Sequence, residues 1–112
     1  MEISRFTITH LNPDYNKEKF VGYARVTIKL YEDCYIQIGA IRVSNDPEEN
    51  KFDTGKYVIS FPRSLSNSGR EVPVASLHGA TPEHTHKLYD QVTKHVPQAI
   101  EDYKIKKGID SQ

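Results

Sequence analysis

The chain has 112 residues, enough for one domain with a modest core. Its 15 basic and 15 acidic residues cancel, with residues 1–60 at net −1 and 61–112 at net +1, so composition gives no strongly basic surface of the kind that marks many nucleic-acid binders. No window approaches the ~18 apolar residues of a spanning helix, the opening "MEISRFTITH" lacks an apolar run behind a basic start, and a lone Cys34 cannot form an intrachain disulfide framework. The expectation is a single domain over 1–112, cytoplasmic, without a membrane segment.

The first predicted element is "ISRFTITHL", where Ile3, Phe6 and Ile8 stand among polar neighbours and read as a strand. "LNPDYNKEKF" is a loop rich in turn residues. "YARVTIKLY" gives the cleanest alternation. Ala24, Val26, Ile28 and Leu30 point one way, and Tyr23, Arg25, Thr27, Lys29 and Tyr31 the other, as in a strand with one buried face. A short "EDC" turn leads into its hairpin partner "YIQIGAIRVS". There the alternation slips between the Ile36/Ile38 pair and the Ile41/Val43 pair, which places a bulge at Gly39.

"NDPEENKFDTG" is a polar loop, "KYVISF" a fourth strand ended by Pro62, and "REVPVAS" a fifth. Pro73 lacks a backbone donor, which makes that fifth strand an edge strand. A C-terminal helix starts at Thr81 as N-cap, with Pro82 at the first position and Glu83 in the first turn. Leu88, Val92, Val96 and Ala99 recur at helical spacing, with Tyr103 beyond. Pro97 kinks the helix or splits it in two, and the end over 104–112 is expected to fray. Strands first and helix last define an α+β domain, a small antiparallel or mixed sheet of about five strands with the helix on one face.

The run "ARVTIKL…CYIQIGAIRV…KYVISFPRS…GREVPV", followed by a helix containing "KLYDQVTKHV", resembles the septation-regulator family typified by stage V sporulation protein G (SpoVG). The resemblance spans roughly residues 3 to 96. It rests on a strand ending Ile41-Arg42-Val43 and on Phe61-Pro62-Arg63-Ser64. It implies a small homodimeric α+β protein that binds DNA and RNA and regulates gene expression or septation rather than catalysing a reaction; no cofactor is expected. This chain departs from the pattern in a longer, more acidic loop over 44–55, in a longer segment after Pro97, and in Ser64-Leu65 where further basic residues are common.

The stretch "FPRSLSNSGREVPVAS" carries the first candidate site. Arg63 and Arg70 bracket a Ser/Asn/Gly tract, and with Ser64 they offer planar donor forks and small hydroxyls to phosphate. An ordinary solvated turn uses the same residues. Lys87 and Lys94, seven apart, share one side of the helix and extend a phosphate track; a wet helix face reads the same way. A third candidate is the outward strand face with Tyr23 and Tyr31 beside Arg25, Thr27 and Lys29. Together with Tyr35 its composition permits base stacking; aromatics that cover the sheet face the helix leaves open, or that pack across a subunit interface, read the same way.

His84 and His86 lie two apart, about 200° around a helix, and cannot share one ion. No thiol or carboxylate completes a ligand set, so no metal is expected. No phosphate loop, nucleophile elbow or metalloprotease motif is present, and no enzymatic activity is expected. The rival to a nucleic-acid regulator is a protein-interaction module of the division machinery.

Overall fold

A computed structural model describes residues 2–50, 55–65, 69, 71–73 and 79–108, with the backbone alone for 63–65 and 71–73. Strands β1 (Glu2–Leu11), β2 (Phe20–Tyr31), β3 (Cys34–Ser44) and β4 (Val58–Ser60) form one antiparallel sheet in the order β1-β2-β3-β4. A 3-10 turn over Pro47–Glu49 lies between β3 and β4. Two short strands, β5 (Arg63–Leu65) and β6 (Glu71–Pro73), form a separate hairpin. Helices α1 (Pro82–Thr93) and α2 (Val96–Lys107) follow.

The apolar spacing of β1 is irregular because its backbone is. Ile3 opposes Ile28 while Arg5 opposes Thr27, so Ser4 is an extra residue; Thr9 is another, between the Ile8–Ala24 and His10–Tyr23 pairs. Each bulge resets the two-residue period. Ile3, Phe6, Ile8 and Leu11, spaced by three, two and three, therefore all turn to the core side, and the last three are buried. In β3 the predicted slip is real. Ala24 pairs with Ile41 and Val26 with Ile38, leaving Gly39 and Ala40 opposite Arg25. The left-handed residue there is Ala40, at φ 54°, rather than Gly39.

Both helices cover the same side of the sheet. Val92, Val96, Ala99 and Ile100 pack into one core with Ala24, Val26, Ile41, Val43 and Ile59. α2 lies on β1, and α1 approaches β4, where the Phe61 and Tyr89 rings meet edge to face at 5.9 Å. Thr81 caps α1 as the sequence indicates, its hydroxyl accepting from the His84 N–H at 3.3 Å.

Four expectations need correction. The main sheet has four strands, not five. Pro62 directly follows Phe61 and cannot donate to a ladder, and the chain beyond it pairs with itself as β5–β6. The helix breaks at Lys94–His95, not at Pro97. Pro97 sits in the first turn of α2, where a missing N–H costs nothing. The preceding turn tightens instead, with the His95 N–H on the Val92 carbonyl and the Thr93 hydroxyl bonding back to Tyr89 and Asp90 carbonyls. Leu30, expected inside, is 54% exposed at the end of β2, beside the Glu32–Asp33 turn. α2 continues through residues expected to fray, with Lys104 buried and Gly108 closing the helix at φ 68°.

Lys104 is held by the loop between β1 and β2. Its ammonium lies 4.8 Å from the centre of the Tyr15 ring and 3.6 Å from the Glu101 carboxylate. Hydrogen bonding with Tyr15 raises its pKa, against the opposing effect of burial.

Candidate nucleic-acid interface

With the helices on one side, Tyr23, Arg25, Thr27 and Lys29 on the other side of the four-stranded sheet are exposed or half-buried. Register places its residues in rows across the strands. Arg5 stands beside Thr27, and Thr27 beside Gln37; Thr7 stands beside Arg25; Lys29 lies between Glu2 and Tyr35; Tyr23 lies between His10 and Arg42. Neighbouring strands are about 4.8 Å apart, so these rows bring Arg5, Arg25 and Lys29 onto one surface with two tyrosines. Tyr23 is 42% exposed and Tyr35 52%. Alternation puts them there, since Ala24, Val26 and Ile28 occupy the core side of the same strand.

One end of this surface is braced. The Phe20 and Tyr23 rings meet edge to face at 5.3 Å, and the Arg42 guanidinium lies 5.6 Å from the Phe20 ring centre. Arg42 also donates to both carboxylate oxygens of Glu49, at 2.9 and 3.2 Å, and the buried Ser44 hydroxyl donates to the same carboxylate at 2.7 Å. The Ser44 hydrogen bond, followed by that from Arg42, lowers the Glu49 pKa. The Pro47–Glu49 turn supplying this carboxylate is fixed by Asp46, whose side chain accepts from the Glu48 N–H at 3.0 Å. Asp46 also pairs with Lys19 at 3.6 Å. Arg42 is thereby committed to structure, while Arg5, Arg25 and Lys29 have no ion-pair partner among the described residues.

The loop-and-helix candidates are placed less fully. Arg63 and Ser64 lie in the backbone of β5, opposite Pro73 and Val72. Arg70 lies outside the described residues. Lys87 on α1 and Lys94 just after it are both exposed. Lys94 is engaged by Asp90 at 3.4 Å, an i,i+4 pair; Lys87 has no ion-pair partner there. The Phe61–Tyr89 contact brings the start of the Arg63 segment to α1. Among the described residues no three His, Cys, Asp or Glu side chains gather as a metal would require, and no helix is long and apolar enough to cross a membrane.

Sequence reasoning singled out Tyr23, Arg25, Lys29 and Tyr35, but not Arg5 or the Phe20–Arg42 brace. The bulge at Ser4 hides the phase of Arg5 from a strict alternation count. Phe20 sits at the end of a polar loop where no period identifies it.

No family model, curated protein or solved structure matches this chain.

Proposed function

We propose that this chain is a nucleic-acid-binding regulator that takes single-stranded DNA or RNA across the open sheet face, as a homodimer in the cytoplasm. The observation that carries this reading is the set of cations Arg5, Arg25 and Lys29, without ion-pair partners among the described residues, beside the exposed rings of Tyr23 and Tyr35 on one face of a helix-backed sheet. Aromatic rings on a sheet stack bases irrespective of sequence, each worth about 1–3 kcal/mol, and adjacent cations track the backbone. Arg63, Ser64, Arg70, Lys87 and Lys94 form a second, flanking set of phosphate contacts. The resemblance to septation regulators supports a role in gene expression or septation rather than catalysis.

Arg5, Arg25 and Lys29 alone make a weak phosphate site, and pairing two protomers doubles the contacts. Leu30 and Ile36, 54% and 44% exposed at the β2–β3 end, supply apolar surface for a second copy.

Mobility-shift titrations with mixed-sequence single-stranded DNA and RNA at two salt concentrations test the reading. Tyr23→Ala with Tyr35→Ala should weaken binding by at least about tenfold with little change in salt slope, since stacking releases few counterions. Arg63→Ala with Arg70→Ala should weaken it evenly across sequences and flatten the slope by about one unit per lost contact. No measurable binding at low salt would discard the reading in favour of a protein-interaction module of the division machinery.

A further inference from the structure

β1 is an edge of the sheet, and a cleft of about 340 Å³ runs along it, lined by five consecutive residues, 5–9, and by the last two turns of α2. Consecutive lining is what an open strand edge gives. In an antiparallel strand, alternate residues direct both N–H and C=O away from their partner strand, here into the cleft. The bulges at Ser4 and Thr9 interrupt pairing at each end and leave a regular stretch, Arg5–Ile8, between them. Bulges commonly blunt an edge against indiscriminate pairing, so this one admits only a short strand.

The walls are basic. Arg5 and Arg25 stand on the open-face side, and Lys106 and Lys107 on the helix side, against one carboxylate, Asp102, which already accepts from the Gln98 amide at 3.0 Å. Lys107 also lies 5.8 Å from the centre of the Tyr103 ring. None of these four cations is ion-paired among the described residues. We propose that this edge receives a short, acidic, extended segment of a partner protein as an added fifth strand. Its main chain pairs with Arg5–Ile8, and its side chains, alternating to the two walls, place carboxylates against both pairs of cations.

Phosphate chemistry fits the cleft less well than a peptide does. A DNA backbone offers acceptors and no donors to match the strand's carbonyls, and RNA adds only its 2′-hydroxyls, whereas a peptide main chain supplies both donors and acceptors at the strand's own repeat. The proposal is independent of nucleic-acid binding on the sheet face. Only Arg5 and Arg25 serve both surfaces.

The probe is a short fluorescent peptide of glutamates with interspersed threonines, titrated by anisotropy into the intact protein. It should bind saturably, and its lysine counterpart should not. N-methylation of every second amide should weaken binding by at least about tenfold in one phase and little in the other, since only one set of amides faces β1. Lys106→Glu with Lys107→Glu should weaken binding about tenfold while leaving the melting temperature near that of wild type, because both side chains are exposed. Bound peptide should slow amide exchange within residues 5–9. Indifference to the methylation phase, protection located elsewhere, or stronger protection of 5–9 by a single-stranded oligonucleotide would each overturn the proposal.

Discussion

Gly22→Ala should destabilise the protein while Gly39→Ala stabilises it, although both glycines lie in the same sheet. Gly22 opposes Leu11 next to the Thr9 bulge, where β1 and β2 approach closely. A Cβ on Gly22 would fall on the carbonyl oxygen of His10 and lie 3.2 Å from both the His10 carbonyl carbon and the Leu11 Cα. These are backbone atoms and have no rotamer to adopt. Relief requires β1 to move outward, straining the Asn12 N–H to Val21 carbonyl bond, now 2.8 Å. Overpacking costs about 1–3 kcal/mol and a lost hydrogen bond about 1 kcal/mol. The smaller unfolded-state entropy of alanine returns about 0.4–1 kcal/mol. The net is about 1–4 kcal/mol, or a fall in melting temperature of roughly 4–16 °C for a domain of this size. A Cβ on Gly39 meets nothing within 4 Å, so only the entropic gain remains, a rise of roughly 2–4 °C. Thermal melts by circular dichroism, with urea titrations to check that m is unchanged, measure both. A Gly22→Ala protein as stable as wild type, or a shift of the same sign in both variants, would refute the close approach of β1 and β2.

Val26 is 1% exposed at the centre of the core. Val26→Asp loses about 1.5–3 kcal/mol of burial and strands a charge at several kcal/mol more, which should abolish the cooperative melt of a domain worth about 5–15 kcal/mol. Lys104→Met keeps the packing but loses the contacts to Tyr15 and Glu101. It should cost about 1 kcal/mol at neutral pH and remove part of the alkaline dependence. The Lys104 pKa is raised on folding, so its contribution is complete below the unfolded value near about 10.4 and lost as pH climbs through the folded value, a trend that urea midpoints followed upward from pH 9 would record. Glu49 shows the opposite sign. Its pKa is lowered, so its contribution is present above the unfolded value near about 4.3 and lost as pH falls through the folded value. Glu49→Ala should lower stability by about 1 kcal/mol, mainly through the Ser44 hydroxyl left without its acceptor, and should flatten the urea midpoint against pH below neutrality.

Legibility in the sequence followed regularity of the backbone. β2 was readable residue by residue through Ile28 because its alternation is intact, and the same alternation put Tyr23, Arg25 and Lys29 on the open face. The Gly39 slip was readable as a bulge because two isoleucine-containing pairs flank it in opposite phase. β1 was harder to read, since two bulges convert a two-residue period into a mixed one and conceal Arg5 as a neighbour of Thr27. The break at Lys94–His95 was displaced from Pro97 because proline disrupts the turn before it while fitting the first turn after it. The departure of "REVPVAS" from the sheet was not legible. A short strand carries the same pattern whichever neighbour it joins, and only tertiary placement decides.

The packing of α2 on β1 has a consequence for how the protein is made. β1 to β3 is a meander whose pairings are local, and it leaves the ribosome before the helices. Its apolar face stays uncovered until Val96, Ala99 and Ile100 have been synthesised and have cleared the exit tunnel. At about 5–20 residues per second, the bare sheet persists for several seconds in each round of translation. During that interval Phe6, Ile8, Val26 and Ile41 are open to chaperones and to neighbouring nascent chains. Slow codons over 60–80 would lengthen this exposure and depress the soluble yield without altering a single contact in the finished fold.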